Sequence, residues 1–334
     1  MNGYERYLGV LQGEQVDILP RLPILMAFAA KFIGSNYAAF ASDYRVLVEA
    51  NKRCIEHFDF DQVSAISDPY RETQGFGAQI QYLADAVPRC LAPPLMEHPD
   101  LALLKKPEPY SSERMLDRVE AVRAFKQYCY HRYSILGWIE GPAAEAADLR
   151  GVTNFLMDLV LKEDFACALM DTCVEVGIAF ALAQIEAGAD TIGIGDAIAS
   201  QVSAPTYRRL IFPREQQVVD AIHDAGGLVR LHICGNITHL LPIIANLGAD
   251  LVDLDWAVNV AAARRILGDK IVLTGNLDPV NAVMKSSPDK ISSDIAAIYQ
   301  QVGNPYMVGA GCEIPAATPY ANLKALCTPL AWKA

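Results

Sequence analysis

From about residue 133 to the end of the chain, short β-branched runs alternate with amphipathic helical stretches, and that alternation leaves few folds open. Strand followed by helix, repeated, builds a parallel sheet wrapped by helices. The predicted strands are 133–140, 191–196, 228–233, 251–255, 271–275 and 306–311, with helices over 213–225, 260–267 and 288–302 between them. Pro213 suits a first helical turn, and Gly226-Gly227 stops that helix before the next strand. Upstream, 22–28 and 62–67 supply two more strands, and 45–57 and 111–130 read as helices. Eight strands with intervening helices predict an α/β fold, a (β/α)₈ TIM barrel, with an open doubly wound sheet as the alternative. The barrel carries an N-terminal extension and an insertion at 75–110, read as a hairpin over one end. There is no linker, repeat or low-complexity stretch, so residues 1–334 are expected to form one barrel domain.

A net charge of −11 without a Lys/Arg cluster argues against nucleic acid as a partner, since phosphate binding needs a basic face. The charge serves solubility or complements a basic patch on a partner protein. No uninterrupted apolar run reaches the ~18 residues of a membrane span. The start, Met1-Asn2-Gly3-Tyr4-Glu5-Arg6, lacks the pattern of a signal peptide, so the expected location is cytoplasmic and no membrane partner is expected. Eight cysteines in such a chain are expected to stay reduced, most of them as small buried hydrophobes, Cys167 and Cys173 among them.

Barrel chemistry sits where strands end and loops begin at the C-terminal face. The polar residues at those ends are Asp68, Glu140, Asp196, His232 with Cys234, Asp255, Asn276, and Cys312 with Glu313. In a strand, residues two apart point to the same side, so His232 and Cys234 can aim at one point. Imidazole and thiolate are preferred zinc ligands, although a His-x-Cys pair alone is more readily a core pair. A second thiol, Cys312, closes Gly309-Ala310-Gly311-Cys312 at the end of the last strand, 78 positions from Cys234. That separation is too long for a zinc finger but suits two strand ends meeting at one barrel mouth. Three protein ligands leave a position for an incoming thiol, whose proton coordination removes. Glu313, Asp196 and Glu140 are available for the fourth position without substrate, and the sequence does not choose among them.

Several motifs resemble the uroporphyrinogen decarboxylase superfamily, and within it the methylcobamide:coenzyme M methyltransferase branch. They are Ser67-Asp68, Trp138-Ile139-Glu140-Gly141-Pro142, Leu231-His232-Ile233-Cys234-Gly235-Asn236, Gly248-Ala249-Asp250 with Asp253-Leu254-Asp255-Trp256, and Thr274-Gly275-Asn276-Leu277-Asp278-Pro279. The resemblance implies a (β/α)₈ barrel. Decarboxylases of the family carry an arginine-rich N-terminal signature that grips porphyrinogen carboxylates. Here the corresponding stretch reads Pro23-Ile24-Leu25-Met26-Ala27-Phe28-Ala29-Ala30-Lys31, without arginine. Decarboxylases also end the last strand in Gly-His, where this chain has Gly311-Cys312. The methyltransferase branch has a His-x-Cys…Cys zinc motif, which His232, Cys234 and Cys312 match.

The resemblance implies zinc, a thiolate nucleophile, and a corrinoid (methylcobalamin) as the methyl carrier. No Asp-x-His-x-x-Gly corrinoid loop occurs in the sequence, so the corrinoid is expected on a separate carrier protein. Asp68, Glu140, Asp196 and Asp255 are the expected substrate-binding residues, though Asp68 suits a barrel-rim hydrogen bond equally well. Asn276 and Asp278 read as structural, and Trp256 as lining the pocket or packing. Four functions follow for comparison. The first is methyl transfer from a corrinoid protein to a small thiol such as coenzyme M or homocysteine. The second is loading of cob(I)alamin from a methoxylated or methylated small molecule, in the manner of an O-demethylase. The third is porphyrinogen decarboxylation, and the fourth a non-catalytic tetrapyrrole-binding barrel.

Overall fold

The computed structural model describes residues 1–333. Its strands are Gln62–Ser64 (β1), Gln79–Gln81 (β2), Arg89–Ala92 (β3), Ser134–Glu140 (β4), Thr191–Gly195 (β5), Leu228–His232 (β6), Leu251–Leu254 (β7), Val272–Gly275 (β8) and Tyr306–Met307 (β9). All except β2 and β3 form one parallel sheet in the order β1-β4-β5-β6-β7-β8-β9. The backbone around Arg21 closes it into a barrel. Leu22 N donates to Val308 O at 2.7 Å and Val308 N to Pro20 O at 2.7 Å beside β9, while Asp61 N donates to Arg21 O at 3.0 Å beside β1. The buried Arg21 guanidinium locks the seam on Asp61 at 2.8 and 3.1 Å.

The expected strand at 22–28 is thereby corrected. The chain is held as a stave only near Arg21 and enters the helix Ala27–Phe32. An apolar run of this kind has no period that separates strand from helix. Tertiary packing decides, and Phe28 stacks edge-on against Phe58 and Tyr320. The ladders of β1 and β9 are likewise shorter than 62–67 and 306–311, and beyond β9 the pairing continues only as isolated bridges of Val308 to Arg21 and of Ala310 to Leu277. The helices Tyr44–Phe58, Glu113–Cys129, Phe212–Asp224, Val260–Leu267 and Pro288–Val302 fall where periodicity put them.

Helix Gly3–Leu11 is the N-terminal extension. It closes the bottom of the barrel with Tyr7, whose hydroxyl meets Thr191 Oγ1 at 2.7 Å and which packs with Leu22, Leu251, Val272 and Met307. The insertion contains the antiparallel hairpin β2–β3. Among the described residues one helix, Glu163–Ala187, is long and apolar enough to cross a membrane by length and composition, although charged residues interrupt its apolar run. Half of its apolar stretch is buried in the fold, where it packs against Pro142–Arg150, Phe212–Asp224 and β4.

Candidate metal centre

β6 ends at His232, and the chain turns so that Cys234 comes back over the barrel mouth. The donor atoms of His232, Cys234 and Cys312 all lie within 4.8 Å of one another. His232 Nε2 is 3.2 Å from Cys234 Sγ and 3.8 Å from Cys312 Sγ, and the two sulfurs are 3.9 Å apart. Ligands about 2.0–2.3 Å from a tetrahedral zinc stand roughly 3.3–3.8 Å from each other, so this triangle fits the ion closely. Behind it, Nδ1 of His232 meets Asp253 Oδ2 at 2.8 Å. A carboxylate on the far ring nitrogen fixes the ring and turns Nε2 toward the metal position. Asp253 is the register partner of His232 across β6 and β7 and is held by Arg230 at 2.9 and 3.0 Å.

The electrostatics suit a cation. Against the effect of burial, hydrogen bonds to Asp253 and Cys312 raise His232 to about 10. A hydrogen bond from Cys234 and the facing His232 lower Cys312 to about 4, and the same contact with Cys312 raises Cys234. Local backbone explains why Cys312 arrives here. A Cβ on Gly311 would stand 2.7 Å from Trp256 N and 3.0 Å from Asp255 Cα, so only glycine lets the last stave lie against the turn after β7.

The three donors form one wall of a cavity of about 180 Å³. Ile24, Met26, Ile66, Pro69 and Val87 make its apolar lining, Trp138 and Tyr37 its aromatic one, and Asp68, Glu140 and Glu313 its acidic one. Val87 comes from the hairpin loop, so the insertion does reach over the mouth. Trp138 fits because Gly193 on the neighbouring β5 has no side chain; a Cβ there would fall 2.2 Å from the indole ring. Asp68 accepts from Arg114 at 2.5 Å and Ser67 Oγ at 2.8 Å, and despite burial the arginines beside it lower its pKa. Glu140 accepts from Arg71 at 2.6 Å and Trp138 Nε1 at 3.3 Å, yet burial, aided by Glu72, raises it to about 8.

The structure thus brings His232, Cys234, Cys312, Asp68, Glu140 and Glu313 together at the cavity. It does not bring Asp196 or Asp255, whose carboxylates serve the backbone instead. Asp196 accepts from Ala143 N at 3.1 Å and Ala144 N at 2.8 Å, at the start of helix Pro142–Arg150. Asp255 accepts from Gly235 N and Ala257 N, both at 3.0 Å, tying down the turn that carries Cys234. Glu313 lines the cavity without joining the donor triangle: its Oε1 accepts from Ala27 N at 2.8 Å, and burial raises its pKa to about 7. Trp256 neither packs nor lines the cavity; it is 56% exposed. Asn276 is structural, donating to Asp255 O at 2.9 Å and Val258 O at 2.8 Å. Sequence reasoning missed Asp253, Arg71 and Arg114 as supports. Asp253 was legible through strand alternation opposite His232, whereas nothing local to Arg71 or Arg114 marks its partner.

The family model of uroporphyrinogen decarboxylase (URO-D) matches residues 2–329. The chain is 26% identical over 328 residues to methylcobamide:CoM methyltransferase MtaA of Methanosarcina barkeri, covering 96% of this chain and 95% of that one. It is also 26% identical over 344 residues to a uroporphyrinogen decarboxylase of Coxiella burnetii, covering 96% and 93%. The solved structure of a methyltransferase from Methanosarcina mazei shares the fold with a TM-score of 0.88 at 23% identity, over 98% of this chain and 97% of that one.

Proposed function

The chain belongs to the uroporphyrinogen decarboxylase family, and we propose that it is a cytoplasmic zinc-dependent methyltransferase of that family, moving a methyl group between a corrinoid on a separate carrier protein and a small thiol. The whole chain serves as a single catalytic domain in this reading. The observation that carries it is the donor triangle of His232, Cys234 and Cys312 with Asp253 behind the imidazole. Similarity to a methylcobamide:CoM methyltransferase over 96% of the chain supports the methyl-transfer chemistry. The decarboxylase relatives are equally similar overall, but the cavity has no arginine or lysine in its lining to meet porphyrinogen carboxylates. At about 180 Å³ it is also below the ~300 Å³ at which pockets begin to hold drug-sized ligands, let alone a tetrapyrrole.

His232, Cys234 and Cys312 would hold the metal, and Asp253 at 2.8 Å from Nδ1 would keep the imidazole in the tautomer that presents Nε2. Zinc held there would supply Lewis acidity, so that a small thiol reacts as its thiolate at neutral pH. Trp138, Ile24 and Ile66 pack together and give the cavity beside the three donors an apolar wall, which lowers the local dielectric and strengthens charge interactions there. Glu140 and Asp68 stand at the same cavity as fixed acceptors that position the remainder of the small molecule. The corrinoid is presented across the barrel mouth by its carrier, because the cavity takes only the smaller substrate.

Zinc per chain, in wild type and in Cys312→Ser, tests this directly. We expect near-stoichiometric zinc in the wild type, a sharp reduction in the variant, and methylcobalamin demethylation only by zinc-loaded protein with a thiol. A wild type that takes up no zinc under reducing conditions overturns the proposal.

A further inference from the structure

The cavity beside the donor triangle has a composition that selects on charge. Three carboxylates, Asp68, Glu140 and Glu313, and two aromatic side chains, Trp138 and Tyr37, line it, while no lysine or arginine does. The nearest cations are already committed. Arg114 bonds Asp68 at 2.5 Å with its side chain 4% exposed, and Arg71 bonds Glu140 at 2.6 Å with its side chain fully buried. Two nitrogens of Arg71, Nε and Nη1, lack hydrogen-bond partners, but they are sealed from the cavity and lie near Glu72, 3.5 Å from Nε. Behind Glu140 lie the buried carboxyl groups of Glu72, Glu145 and Asp148, all raised by burial, with Arg71 as the cation between them and the cavity wall.

An anion entering this space would find no lysine or arginine in the lining to pair with. A cation would find the reverse: acceptor oxygens at Glu140 and Glu313, whose protons its charge would displace, and an indole in the wall for its face. We propose, resting on the methyl-transfer reading above, that the small molecule handled here carries an ammonium group and is not an anionic thiol. A volume of about 180 Å³ holds only a few heavy atoms beyond the reacting one. An aminothiol as methyl acceptor and a methylated amine as methyl donor share this ammonium chemistry.

Calorimetric titration of the zinc-loaded protein with matched ligands tests it. The first pair, propylammonium and propanesulfonate, lacks sulfur and isolates the tail. The second set is 2-aminoethanethiol, 2-mercaptoethanol and 2-mercaptoethanesulfonate, compared per thiolate. We expect the ammonium member of each set to bind at least about tenfold more tightly than the sulfonate. Glu140→Gln should narrow that gap by about threefold or more with zinc content unchanged. Because Glu140 is buried, a second variant guards against misfolding. Val87→Arg, at a loop position 42% exposed on the cavity rim, should shift preference toward the sulfonate. Equal binding, or tighter binding of the sulfonates, overturns the inference. Ammonium preference without methyl transfer to any thiol or from any amine upholds it and overturns the proposed function; methyl transfer with sulfonates preferred does the reverse. Demethylation of methylcobalamin by 2-aminoethanethiol identifies an acceptor, and methylation of cob(I)alamin by tetramethylammonium identifies a donor.

Discussion

Asp253 is asked to hold two donors at once, an imidazole and a guanidinium. One oxygen takes Nδ1 of His232 at 2.8 Å, and both take Arg230 Nε. Arg230 in turn reaches Gln62 at 2.8 Å, so the orientation of one ligand ring is tied across the barrel interior to β1. An asparagine would keep the shape and lose the charge that makes the imidazole a strong ligand. We expect Asp253→Asn to weaken zinc binding by about 10- to 100-fold, while saturating zinc still gives one ion per chain. Competition with a chromophoric chelator measures this. Unchanged affinity would mean that packing against Trp138, 5.8 Å away between ring centroids, orients His232 by itself.

At the scale of elements, the short helix Arg71–Gly75 and β4 are joined through charge. Arg71 reaches Glu140 at the end of β4, and Glu72 Oε1 accepts the backbone N–H of Glu140 at 3.0 Å. Removing the arginine leaves buried carboxyls without their cation. Arg71→Met should cost most at pH 9, up to the about 3–5 kcal/mol of a broken buried pair because Glu140 is ionised there, and clearly less at pH 5, where burial keeps the carboxyls protonated. The double change Arg71→Met/Glu140→Leu should recover most of the loss. Urea unfolding at the two pH values reads both effects, and a pH-independent loss would show that packing of Arg71, not its charge, matters. Helices were the elements most legible in the sequence, since an amphipathic period of Pro288–Val302 or Val260–Leu267 is written locally. The staves at Arg21 and β9 were less so, because their pairing partners lie far along the chain.

For the whole molecule, buried carboxyls set the pH response. Burial raises Glu140 to about 8 and Asp196 and Glu313 to about 7, and it raises Glu72, Glu145, Asp148 and Glu215 as well. The native state therefore binds more protons than the unfolded chain from about pH 4 upward. The stability these groups contribute is complete below that range and lost as pH rises through 7 to 8. Asp68 and Asp253 act in the opposite sense: their arginine partners lower them, and their contribution is lost as pH falls below about 4. Protein treated with a chelator should thus melt at its highest temperature near pH 5–6, with Tm falling toward pH 9. A Tm that rises between pH 6 and 9 in a calorimetric scan would contradict the assignment of these carboxyls as buried and proton-bound.

The sequence by itself determined the alternation that makes the barrel, and it put His232, Cys234 and Cys312 at strand ends where barrel chemistry collects. Those features are local: a period, a pair two residues apart, a cysteine after glycine. Only the tertiary structure decided which strand-end carboxyls face the cavity. Asp196 and Asp255 occupy the same kind of position as Asp68 and Glu140, yet backbone amides of Ala143, Ala144, Gly235 and Ala257 claim them. Past the last ladder residue a side chain's direction is set by how its loop turns and by which orphan amides lie nearby. That depends on neighbouring staves, brought together only when the seam at Arg21 closes.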